Sequence, residues 1–125
     1  RMLVMAEFND YIYCCTHMSL TEEDRIKSLQ ILKEFVSYCK KPLFLAGDMN
    51  DQPDSEFIKE LQKEFQIISN PKQLTFPASK PKVTIDYIVS LKRNMNGFTV
   101  KSTEIVNEPV ASDHRPVIVE LRMGK

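Results

Sequence analysis

Two spacings of apolar residues divide this chain. Residues 2–8 and 11–16 are apolar, β-leaning runs separated by Asn9-Asp10, a connection that suits a hairpin. From Ile26 the spacing becomes helical, with Leu29, Leu32, Phe35, Val36 and Cys39 on one side. Ser19 and Thr21 both offer an N-cap, and Glu22, Glu23 and Asp24 place negative charge in the first turn. Lys40 and Lys41 complement the other end before Pro42 stops the helix. Leu43 to Ala46 then has the length and flanks of a buried strand ending at Gly47.

After a loop through Gln52-Pro53, Asp54 can cap a second helix, with Phe57, Ile58, Leu61 and Phe65 as its apolar stripe. Residues 70–83 contain Pro71, Pro77 and Pro81 and read as an irregular loop. Strands are expected over 84–91, 98–106 and 116–121, with a turn at 93–97 and a loop at 107–114. The pattern predicts an α+β fold, a mixed β-sheet with two helices on one face.

Composition narrows this only a little. A chain of 125 residues, 42% hydrophobic and 27% charged, is most simply one globular domain. Seventeen basic and seventeen acidic residues cancel, so no global field draws in nucleic acid. A local basic bias survives at Lys80, Lys82, Lys92, Arg93 and Lys101, which reads most simply as a solvated face. The three cysteines, Cys14, Cys15 and Cys39, form neither a disulfide framework nor a zinc spacing and read as buried thiols. No run approaches the ~20 apolar residues of a membrane span.

Chemistry enters at strand ends. Asp48 and Asn50 follow Gly47, and if the extended conformation continues, both side chains project to the same side. Such a pair can hold a hard cation or position a water; Gly, Asp and Asn also make plain polar turns. Thr16-His17, Asp86 in Ile85-Asp86-Tyr87-Ile88, and Ser112-Asp113-His114 occupy similar positions, and both histidines of the chain lie in these clusters. Strand ends on one edge of a sheet converge in space, and a carboxylate set among apolar residues needs a partner such as histidine. Zinc or iron held by His17, Asp48, Asp113 and His114 is another chemistry open to these residue types.

His17 in Cys-Thr-His, Gly47-Asp48-Met49-Asn50, Ile85-Asp86-Tyr87-Ile88 and Ser112-Asp113-His114-Arg115-Pro116-Val117 together resemble the successive signatures of the endonuclease/exonuclease/phosphatase, or DNase I-like, family. The resemblance implies metal-dependent hydrolysis of phosphate esters. It implies that His17 contacts the scissile phosphate, that Asp48 orients or deprotonates the attacking water, and that Asn50 holds a phosphate oxygen. It further implies that His114 is the phosphate-binding or acid/base histidine, that Asp86 fixes its tautomer, and that Asp113 ligates a metal, Mg²⁺ or Mn²⁺.

The same resemblance implies a departure. Family members are longer, and their N-terminal half supplies an Asn and a metal-ligating Glu; Glu7 lies in no matching motif. The chain, beginning at Arg1, resembles the C-terminal half alone of a two-sheet sandwich, residues 1–125 forming one partial domain. An uncovered sheet face then implies self-association or a missing partner segment. The alternative to catalysis is a non-catalytic fragment or interaction domain with an incomplete metal site. The substrate class stays open among a phosphorylated small molecule, a lipid headgroup and a nucleic acid. No localisation follows, because a targeting region would lie in the missing half.

Overall fold

A computed structural model describes residues 1–124. In chain order the elements are strands β1 (Leu3–Glu7) and β2 (Ile12–His17), helix α1 (Glu22–Val36), strand β3 (Leu43–Asp48), helix α2 (Glu56–Glu64), and strands β4 (Phe65–Ile67), β5 (Asp86–Leu91), β6 (Phe98–Ile105) and β7 (Val117–Met123). A 3-10 segment, Lys92–Gly97, joins β5 to β6.

Five strands form one sheet in the order β1-β2-β3-β5-β4, and β6 and β7 form a separate two-stranded sheet. β2 and β3 are parallel, which requires a crossover, and α1 supplies it; the other neighbours in the larger sheet are antiparallel. The sheet is therefore mixed, as the pattern predicted. Both helices lie on one face. Cys14, Leu43, Leu45, Tyr87 and Val89 from the strands meet Leu29, Leu32 and Val36 of α1 and Phe57, Ile58 and Leu61 of α2 in one buried core. On the opposite face Phe44 and Ile88 meet Phe98, Val119 and Leu121 of the β6–β7 ribbon. The ribbon thus covers part of the face expected to be bare. On that face Val4 of β1 and Tyr13 of β2 are still 59% and 37% exposed.

Local chemistry moves several boundaries. Thr21, not Ser19, caps α1, its side chain accepting from the Asp24 N–H. The helix ends at Val36 rather than running to Cys39: the Tyr38 and Cys39 N–H groups turn to the Phe35 and Val36 carbonyls three residues back, and Arg93 also donates to the Val36 and Cys39 carbonyls. Ser55, not Asp54, caps α2, its Oγ accepting from Ile58 N at 3.1 Å. Phe65 belongs to the apolar stripe by spacing, yet it leaves the helix with extended dihedrals and opens β4 against β5. The expected single sheet is two.

Gly47 does not end β3; it lets β3 continue. Its φ is +152°, and a Cβ there would lie 1.8 Å from the Thr16 carbonyl oxygen of β2. Only glycine allows the parallel pair to close at this point.

Candidate active site

The strand register builds the site. His17 pairs with Asp48, and Asp48 pairs with Asp86, so three adjacent strands place these residues in one row. β2 and β3 present their C-terminal ends and antiparallel β5 its N-terminal end, at one edge of the sheet. His114 reaches the row from the loop between β6 and β7. Its Nδ1 lies 2.8 Å from Asp86 Oδ2 and 3.0 Å from Oδ1. Its Nε2 lies 3.7 Å from Asp48 Oδ2, and His17 Nε2 approaches the same oxygen at 3.3 Å. One carboxylate oxygen therefore faces two imidazoles. Asp48 is mostly buried, with 14% of its side chain exposed, whereas His17 at 58% stands in solvent.

Asn50 arrives by a different route from the one its spacing suggested. The extended conformation stops at Met49, and Asn50 adopts φ 51°, a left-handed conformation asparagine tolerates better than most residues. Its backbone N–H donates to Asp48 Oδ1 at 2.8 Å, and its Nδ2 donates to the Met18 carbonyl at 2.7 Å. This Asx-type turn fixes the Asp48 carboxylate, leaving Oδ2 toward the histidines. The second proton on Asn50 Nδ2 has no acceptor among the described residues. Asp113 is brought near but not in. It is exposed, and its carboxylate lies outside the group of Asp48, Asp86 and His114, whose ligand atoms all fall within 4.8 Å of one another. The four-residue set of His17, Asp48, Asp113 and His114 is therefore not assembled around one point.

The Pro-rich loop of residues 70–83 supplies groups that its composition did not reveal. Thr75 is fully buried and donates from Oγ1 to Asp86 Oδ2 at 2.7 Å, while accepting from the Asp86 N–H. The Phe76 ring lies 4.6 Å from that of His114. Ala78 N donates to the Asp113 carbonyl at 2.7 Å, and Arg115 N and Nε donate to the Thr75 and Ala78 carbonyls at 2.8 and 2.9 Å. This loop is the scaffold that seats the histidine loop. No periodic signal marks such a role.

Electrostatics follow from this packing. Partial burial works against a charged His114, but its hydrogen bond to Asp86 and the charges of Asp86, Asp48 and Asp113 outweigh it and raise its pKa. Burial also lifts the Asp86 carboxyl, against the bonds from His114 and Thr75. The two shifts act oppositely on the pair: the first favours the ionised partners, the second the neutral acid. Near neutrality the histidine direction governs, because an imidazole titrates there and a carboxyl ordinarily far below. With Nδ1 donating to Asp86, Nε2 is the outward-facing nitrogen and carries a proton only when the ring is charged.

A hard cation takes oxygen ligands. Asp48 Oδ2 is available, but both oxygens of Asp86 are engaged by His114 and one also by Thr75. The donor set fits a cation that keeps much of its shell as water or phosphate oxygen, and not an all-protein cage.

No family model matches the chain, and no curated protein matches it. Solved structures do. An endonuclease/exonuclease/phosphatase family protein from Bacteroides thetaiotaomicron superposes with a TM-score of 0.72 at 21% identity, covering 89% of this chain and 49% of that one. A mannosyl-6-phosphatase from Bacteroides thetaiotaomicron VPI-5482 gives 0.69 at 19%, covering 90% and 51%. The endonuclease domain of a telomere-specific non-LTR retrotransposon gives 0.73 at 14%, covering 98% and 63%. The chain spans about half the length of the first two. Its fold is that of the endonuclease/exonuclease/phosphatase proteins, a DNase I-like architecture of which it presents about half.

Proposed function

We propose that the protein hydrolyses phosphate esters with the help of Mg²⁺ or Mn²⁺, and that residues 1–125 are the C-terminal half of its catalytic domain. The observation that carries this reading is the Asp48 oxygen flanked by the Nε2 atoms of His17 and His114, with His114 backed by Asp86. A phosphoryl transfer needs an oriented water, cationic donors on the developing charge and a proton for the leaving oxygen. Asp48 is the base or orienting group for the water. His114, held in the charged state by Asp86, donates from Nε2 to a phosphate oxygen. Exposed His17 contacts the phosphate from the other side and is placed to protonate the leaving oxygen. The free Asn50 amide proton holds a further oxygen.

Asp48 would hold the metal, and Asp113, whose carboxylate lies outside the cluster of Asp48, Asp86 and His114, would reach it through a water of the ion's shell. When bound, a divalent cation polarises the phosphoryl group and offsets its charge. Substrates in the class of phosphorylated sugars or nucleic acids agree with the mannosyl-6-phosphatase and endonuclease among the structural neighbours. The test is hydrolysis of bis-p-nitrophenyl phosphate and p-nitrophenyl phosphate with Mg²⁺ or with EDTA, by this chain and by the longer protein. Metal-dependent turnover lost in His114→Ala is the expected result; turnover unchanged in that variant and in EDTA overturns the proposal.

The commitment of Asp86 to His114 and Thr75 favours a second reading for the isolated chain, a non-catalytic piece whose metal site is incomplete. It predicts that Mg²⁺ leaves the melting temperature of this chain unchanged, whereas a cation bound only by the native state must raise it.

A further inference from the structure

Arg25 occupies a position where an apolar residue is expected. It shares the buried stripe of α1 with Leu29, Leu32 and Val36, and it is only 6% exposed. Its Nη2 lies 2.7 Å from Asp51 Oδ2, and its Nη1 donates to the Ser19 carbonyl at 3.1 Å. The guanidinium sits 5.7 Å over the Phe57 ring of α2. Ser19 lies in the loop that follows His17, and Asp51 directly follows Asn50. The Tyr87 hydroxyl then lies 2.8 Å from the Asp51 carbonyl and 2.9 Å from that of Thr84, and Tyr87 directly follows Asp86. One guanidinium and one phenol thus tie together the three segments that carry His17, Asp48 with Asn50, and Asp86.

Energetics argue that this pair is not there for stability. Removing both charges from water offsets most of their attraction. Arg25 Nε adds to the cost, since it is buried without a hydrogen-bond partner. An apolar side chain would continue the stripe without that cost. A lysine could meet Asp51 but has no planar fork to bridge Asp51 and Ser19 together.

We infer that Arg25, acting through Asp51 and Ser19, is a positioning residue that sets the spacing between the His17 loop and the Asp48–Asn50 turn. The inference rests on the hydrolytic reading for its effect on turnover, but its geometry can be tested without any turnover. Met18 N donates to the Asp48 carbonyl, Met49 N to that of Ile85, and Asn50 N to Asp48 Oδ1, so these amides report the junction.

The experiment compares hydrogen exchange, melting temperature and steady-state hydrolysis for the full chain and its Arg25→Met, Arg25→Lys and Asp51→Asn variants. Arg25→Met is expected to speed exchange at the Met18, Met49 and Asn50 amides roughly ten- to a hundredfold, the size of a lost charge-assisted bond. Amides in the middle of β2, β3 and β5 keep their protection, and Arg25→Lys falls between. On bis-p-nitrophenyl phosphate, kcat falls while KM holds, and the lysine variant recovers part of kcat. Unchanged exchange at the junction, or exchange raised equally throughout the sheet, overturns the inference. If the wild type shows no turnover even in the longer protein, the hydrolytic reading fails, and exchange alone still decides the positioning role. Should Arg25→Met not fold, Asp51→Asn, which keeps the shape and removes the charge, gives the same local reading.

Discussion

At the scale of single residues, the pair of Asp86 and His114 makes a prediction about pH. The folded-state pKa of His114 lies above its ordinary value of 6.5. Its contribution to stability is therefore fully present below that ordinary value and is lost as pH rises through the raised one. Asp86 is also raised, so it has the same sign, but its loss starts at the lower, carboxyl range. Urea midpoints of the wild type and His114→Gln should therefore differ most below pH 6.5 and converge as pH rises above it. A gap that widens with pH contradicts the assigned direction. Cys14 gives a second reading of the same kind. Burial pushes its thiol up to about 11, so it should resist alkylation at mildly alkaline pH, where Cys15, expected to be buried but exposed on the alternate side of β2, reacts. Equal labelling of the two would show that β2 is not packed as described. Residue identity made the chemistry legible early: both histidines and Asp48, Asn50 and Asp86 were visible as polar groups at the edges of apolar runs. Thr75 and Phe76 were not, because nothing in a Pro-rich loop announces which of its residues will be buried against a histidine. Arg25 did carry a signal, since its spacing from Leu29 and Leu32 places it on the buried stripe.

At the scale of elements, Gly47 matters most. It stands opposite Thr16 of β2, where there is no room for a Cβ, and the next pair in register is His17 and Asp48. Gly47→Ala puts a methyl against the Thr16 backbone at an unfavourable φ, and is expected to cost more than about 3 kcal/mol. A thermal or urea melt within about 1 kcal/mol of wild type would contradict the register drawn here. By comparison Ser55→Ala, which removes the cap of α2, should cost about 1 kcal/mol. The helices and most strands were readable from periodicity, and their ends were not. Phe65 shows why: its spacing fits the helix stripe, while its backbone is claimed by pairing with Leu91 of β5. Long-range pairing competes with local pattern, and only the fold decides between them. The turn at Asn50 likewise depended on a side chain, Asp48, capturing the backbone N–H two residues on, which broke the alternation assumed from sequence.

At the scale of the whole molecule, topology performs the convergence that sequence spacing only suggested. Parallel β2 and β3 and antiparallel β5 bring three chain segments to one edge, and the docked loops deliver His114. Among the described residues no helix is long and apolar enough to cross a membrane. The β6–β7 ribbon covers part of the second sheet face, but Val4 of β1 and Tyr13 of β2 remain exposed there. Surface of that kind favours association, so the isolated chain should scatter light as more than a monomer. Elution as a compact monomer would count against a missing partner for this face. The central claim is that Asp48 activates water between two imidazoles. The most direct measurement is kcat/KM of Asp48→Asn against the wild type in the longer protein, on bis-p-nitrophenyl phosphate with saturating Mg²⁺ and with melting temperatures matched. The account predicts a loss of about a hundredfold or more, the range of a positioned acid or base. An Asp48→Asn protein that turns over within about twofold of wild type would contradict it.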